Sequence, residues 1–175
     1  MAHFAELKSK TDPTGFTSDT HQIVERVVVV GNDIPDNGGT LGDNDMHVDG
    51  ETWCANFFKG GSWKQTSYNN NFRKQYAGIG FRFDPDAGDD GKFIAPQPYA
   101  SWSRDSNDDW QAPVTYPTIT DDGQETPVWF YNIEWDEDAY NADTASPKTA
   151  GWKATKSNDT AETPTVYTWN GSSWS

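Results

Sequence analysis

With 175 residues, nine of them Trp and only 26 of them Leu, Ile, Val or Phe, the chain has the length of one ordinary domain and an aliphatic share low enough to suggest disorder were it not for its rings. Thirteen basic residues against 27 acidic ones give a formal net charge of -14, which excludes the clustered Lys and Arg that direct nucleic-acid binding requires. The single cysteine, Cys54, excludes an intrachain disulfide and a multi-cysteine metal centre, and no stretch approaches the ~18 apolar residues of a membrane span.

Each large ring buries roughly 150 to 250 Å², so the composition predicts a thin aromatic core in a mainly β protein. The expected architecture is a small antiparallel sheet or sandwich with one short helix and extended arms or hairpins. The start of the chain has neither the basic nor the apolar region of a secretion signal. Residues 4–8 and 23–30 read as two paired strands. The second contains Val27, Val28, Val29 and Val30, a β-branched run suited to burial on both faces and an aggregation risk on an open edge. A polar loop over 9–20 joins them, and 31–48, rich in Gly, Asp and Asn, reads as a further loop. Asp49 is placed to cap a short helix that Gly60 and Gly61 would stop. Within it Trp53/Phe57 and Cys54/Phe58 are i, i+4 pairs expected to share one side and to bury the thiol.

Residues 63–68 read as a strand, 69–71 as a turn, and 72–84 as a strand with Ile79, Phe81 and Phe83 alternating around Gly78 and Gly80. The glycines suit a bulge or a close backbone approach; no following helix completes a phosphate loop. The acidic run 84–91 lacks the spacing and closing Glu of a calcium loop and reads as a turn. Pro96 and Pro98 make 93–103 an edge strand or arm, and Trp102 and Trp110 flank a polar turn as a Trp-closed hairpin. Residues 127–135 read as the clearest strand of the C-terminal part, with Trp129, Tyr131, Ile133 and Trp135 on one face. After a loop over 136–150, 152–155 and 165–169 read as short strands, and Asn170-Gly171 turns a hairpin between Trp169 and Trp174. The expected division is an aromatic-rich β core with its N-terminal hairpin over 1–117 and a β extension with a Trp hairpin over 118–175.

No nucleophile–base set, paired-carboxylate cleft or metal-ligand spacing emerges, so the expectation is a non-enzyme with no catalytic residues, cofactor or metal. His21 and His47 read as ordinary surface or satisfied side chains and Cys54 as a small buried hydrophobe. Glu134 and Asp136, beside the Trp-rich strand, form the best acid pair, and solvated acids are the plainer reading. The Trp side chains read first as core. Should some be exposed, Trp102, Trp110, Trp129, Trp135, Trp169 and Trp174 are the candidate contacts for a protein or a glycan.

The start Met-Ala-His-Phe-Ala-Glu with Ile23-Val-Glu-Arg-Val-Val-Val-Val30, followed by Gly50-Glu-Thr-Trp-Cys54, Trp63-Lys-Gln-Thr-Ser-Tyr68, Arg73-Lys-Gln-Tyr-Ala-Gly-Ile-Gly80, Phe93-Ile-Ala-Pro-Gln-Pro-Tyr-Ala-Ser-Trp102 and Trp110-Gln-Ala-Pro113, resembles a family of small virion structural proteins of marine, cyanophage-like tailed bacteriophages. The likeness covers the first two thirds of the chain. It implies a non-catalytic accessory protein of the virion, assembled in the host cytoplasm, homo-oligomeric, and partnered with capsid, neck or tail subunits rather than nucleic acid or membrane. The expected role is decorating or cementing the head or neck, with a tail, baseplate or fibre adaptor and a carbohydrate-binding receptor module as alternatives. The tail beyond Pro117 departs from the shorter members.

Overall fold

Strands β1 (Ala2–Thr11) and β2 (Thr20–Val30) form the antiparallel hairpin expected of the first valine-rich run, in a computed structural model that describes residues 1–31, 46–47 and 49–175. The loop expected over 31–48 falls, apart from Gly31, Met46 and His47, outside those residues. Both strands run longer than the sequence suggests because the connecting turn is self-tied: the Asp12 carboxylate accepts from the amides of Thr14 and Thr17. Glu25 is an extra residue in β2, since Glu6 faces Arg26 while Leu7 faces Val24. The bulge lets Val24 and Val27 join one cluster while Val28 and Val30 join the other.

Strand β3 (Ser62–Thr66) pairs with β1, β4 (Arg82–Asp84) with β2, and β5 (Lys92–Ile94) with β4, giving the all-antiparallel order β3-β1-β2-β4-β5. Both faces are covered. Helix α1 (Gly50–Phe57) brings Cys54 onto Ala2, Phe4, Val30 and Trp63, and on the other side Ala77 joins Ala5, Leu7, Val24, Phe83 and Phe93. A Cβ on Gly50 would overlap the Phe4 ring, so the helix begins at a residue that lets it close on the sheet. Asp49 precedes α1 without a side-chain cap. Of the two i, i+4 pairs, Cys54 is buried with Trp53 and Phe58 packed against its cluster, whereas Phe57 is exposed, stacked on Trp53 with centroids 4.8 Å apart.

The strand expected over 72–84 is confined to Arg82–Asp84. Arg73 and Lys74 take φ of 55° and 69°, outside strand geometry, and the amide of Phe81 closes a turn on the carbonyl of Gly78. The cause lies in Arg73, whose guanidinium is drawn inward onto two backbone carbonyls and Glu51, so the backbone at and just after it turns instead of extending. Ile79 ends up exposed while Phe83 is buried.

Beyond Pro98 a hairpin of β6 (Ser103–Arg104) and β7 (Trp110–Gln111) precedes a second sheet, order β10-β9-β8, from β8 (Tyr131–Trp135), β9 (Trp152–Lys156) and β10 (Tyr167–Thr168). The compact units are Met1–Pro98 and Tyr99–Ser175, whereas the sequence places the division after residue 117. Tyr99, Trp102, Ala112 and Val114 belong with Trp135, Trp152 and Trp169 in the second unit's core, so the Trp hairpin packs with the later part of the chain. The loop expected over 136–150 contains a second helix, α2 (Glu137–Ala142), whose cap Asp136 accepts from the amide of Ala139 at 2.9 Å. The fold is mainly β and antiparallel, as composition predicts.

Candidate functional site

Arg73 is the best-buried cation among the described residues, and its surroundings show how the first unit uses its polar groups. Its Nη1 donates to Glu51 Oε1 and to the carbonyl of Gln65, both at 2.7 Å, and its Nε donates to the carbonyl of Asp90 at 3.0 Å. Glu51 also accepts from the amide of Gln65 and from Lys64. Burial pushes its carboxyl up, and Arg73 with these donors outweighs that, leaving it below the ordinary value. Nearby, His47 is fully enclosed with Nδ1 2.8 Å from Asp49 Oδ1, and Gln65 Oε1 accepts from its backbone amide. Cys54 is buried, and its thiol is pushed up to about 11 by burial and then by the Glu51 charge. A thiol so raised holds its proton and is no nucleophile at neutral pH. Histidine, acid and thiol share one region, yet each is committed to packing or to a fixed partner.

In the second unit the structure separates the six Trp singled out from sequence. Trp135 and Trp169, 5% and 6% exposed, are core and present no ligand surface. Trp152, which was not singled out, is a third core member, its indole donating to the carbonyl of Val114 at 2.9 Å and its ring 5.0 Å from Trp135. Trp102 is half-buried, edge-on to both Trp135 and Trp152 at 6.1 Å. Trp110 lies half-buried under the Arg104 guanidinium, 5.9 Å from its ring centre. Trp129 and Trp174 form a half-buried margin with Tyr131 and Tyr167, in which Tyr131 is 5.1 Å from Trp129, 5.0 Å from Trp174 and 5.8 Å from Tyr167. Lys156 closes this margin, its ammonium 4.6 Å from the Trp129 ring centre and 4.9 Å from that of Tyr167. The aromatic faces that a sugar would stack on are thus partly taken by the chain's own cation.

The acid pair is likewise engaged. Lys153 Nζ lies 3.5 Å from Glu134 and 3.3 Å from Asp136. The Asp136 carboxyl is held below its ordinary value, first by the amide of Ala139. Glu137, the neighbour, accepts from the Ser101 amide and hydroxyl and from the Trp135 indole.

What sequence reading missed is a pair of matching loops. Asp122 Oδ1 accepts from the amide of Gln124 and Oδ2 from that of Val128, at 3.1 and 3.0 Å. Asp159 repeats the arrangement with Ala161 and Thr165, at 3.1 and 2.9 Å. Each Asp precedes the same three residues, Glu125-Thr126-Pro127 and Glu162-Thr163-Pro164, with Pro just before the clamped amide. That recurrence was the signal from which they could have been found. Both loops lead into strands antiparallel to β9, so they stand at one end of the sheet on either side of it.

Among the described residues no group of three or more His, Cys, Asp or Glu is placed to hold a metal ion, and no helix is long and apolar enough to cross a membrane. No protein-family model, no characterised protein and no solved structure matches the chain.

Proposed function

We propose that the chain is a non-catalytic structural accessory protein of a tailed-bacteriophage virion, working through protein–protein contacts at the head or neck. The observation that supports a structural role is that carboxylates in both units are engaged as hydrogen-bond acceptors for the chain's own amides. Asp12, Glu51, Asp122, Asp136, Glu137, Asp143 and Asp159 all sit below their ordinary pKa, and each accepts hydrogen bonds from its own chain. A general acid needs the opposite, a carboxyl raised toward neutrality by an apolar site. Here the acids serve as fixed acceptors that set turns and caps. The choice of a virion rests on the resemblance of the residues up to Pro113.

Mass spectrometry of density-purified particles, with cryo-electron microscopy of the same preparation, tests the reading. The expected result is the chain at a fixed stoichiometry with density on the head or neck. Density at the tail or baseplate would favour an adaptor role instead, and absence from washed particles would overturn the proposal.

A further inference from the structure

The second sheet has a polar outward face with one apolar end. Cα partners share a face, so Tyr131, Lys156, Ala154 and Tyr167 point with the core, while Asn132, Thr155, Lys153 and Thr168 point away from it. On the outward side, where β8 and β10 begin, Val128 is 82% exposed, Phe130 56% and Val166 58%. Phe130 is bonded across to Ser157, its carbonyl accepting the Ser157 amide at 2.8 Å. Thr155 on the middle strand and Ser157 just past its end, whose hydroxyl accepts the Phe130 amide at 3.0 Å, are the small residues between Phe130 and Val166, which are about 10 Å apart for two strand spacings.

Two features restrict what can bind at this end of the sheet. The sheet edges are already taken: the amide of Tyr131 donates to the carbonyl of Thr120 on one side, and Thr168 exchanges bonds with Ser175 on the other. An added strand is therefore excluded at these positions, and an occupant must bind through side chains. The rim is acidic. The matching loops carry Glu125 and Glu162, both exposed, while Lys156 is turned to the opposite face and Lys153 is paired with Glu134 and Asp136. With a formal net charge of -14, a second copy would bring like charge against that rim.

We infer that this end of the second unit docks a partner protein that offers aliphatic side chains flanked by Lys or Arg. The inference rests on the virion reading for the source of that partner. The apolar part supplies the contact and the Glu rim its orientation, with the two Asp clamps holding the rim in a fixed shape before binding.

The test adds the purified full-length protein to particles purified from a phage lacking it, and measures binding for the wild type, Phe130→Ser with Val166→Ser, Glu125→Lys with Glu162→Lys, and Tyr68→Ser as an exposed control in the other unit. Near-ultraviolet circular dichroism checks that each variant is folded. The inference expects both double variants to bind about tenfold or more weakly, the control to match the wild type, and wild-type binding to weaken as salt is raised. Unchanged binding by Phe130→Ser with Val166→Ser, while the wild type still binds, overturns this surface and leaves the virion role intact. Failure of the wild type itself removes both. A double variant that instead shifts the oligomeric state in sedimentation would make the occupant a second copy and overturn the basic partner.

Discussion

Arg73 carries three bonds that hold the irregular segment 72–81 against the first sheet, and it is nearly enclosed. Replacing it with Leu leaves Glu51 half-buried with only Lys64 and the Gln65 amide, so Arg73→Leu is expected to cost about 3 kcal/mol in urea unfolding. Glu51 also sets an acid limit. Its carboxyl is held below the 4.5 of an unperturbed Glu, so the unfolded chain takes up the proton first. The contribution is complete above about pH 4.5 and falls away as pH drops through the lower folded value; Glu51→Gln is expected to flatten that limb of a stability–pH curve. Cys54 supplies the complementary case. Raised to about 11 and buried, it should resist an aromatic disulfide reagent at pH 8 in the native state and react at once in denaturant, as followed by absorbance. Its burial was legible in the sequence because a thiol four residues from Phe58 in a short amphipathic helix has to face inward. The Arg73 network was not, since its partners lie 8, 17 and 22 residues away.

Elements with a strong local period were readable: the β1–β2 hairpin, α1 and β8 all exist, although both hairpin strands run longer than expected and β8 begins at Tyr131 rather than at 127, leaving Trp129 ahead of it. The misread elements are those shaped by a tertiary bond against the local pattern. Phe81 and Phe83 both reach the first unit's core as their alternation suggests, but the strand begins only at Arg82 because Arg73 bends the chain ahead of it. Helix α2 is only six residues and shows no apolar stripe, so its one signal was Asp136 at the cap. Gly151 illustrates how tightly the second unit joins helix to strand. It has φ of 129°, a Cβ there would run into the Trp135 ring, and its carbonyl accepts the amide of Asp136. Gly151→Ala is expected to cost about 3 kcal/mol through strain and overpacking together, read as a lower denaturant midpoint.

The division of the molecule at Pro98 was the least legible feature, because the residues around it look continuous with the aromatic run on both sides. What decides it is which rings meet. Trp102 and Val114 find Trp135 and Trp152, residues that no local pattern links to them. Each unit accordingly owns a buried cluster, and residues 99–175 expressed alone are expected to give a dispersed amide NMR spectrum with slow exchange at Glu134, Ala154 and Trp169. A collapsed spectrum would show that the second unit depends on the first. The polar sequence between its rings is compatible with independent folding, since seven indoles replace the aliphatic side chains that the chain lacks.

That uneven allotment of indoles has an optical consequence. Seven of the nine Trp lie beyond Pro98, leaving Trp53 and Trp63 as the first unit's emitters. Fluorescence excited at long wavelength will therefore track chiefly the second unit, and the 5.0 Å approach of Trp135 to Trp152 should couple their transitions into a paired positive and negative band in the far-ultraviolet spectrum. Loss of that couplet, followed against the amide signal, distinguishes melting of the indole core from melting of the five-stranded sheet without any added label.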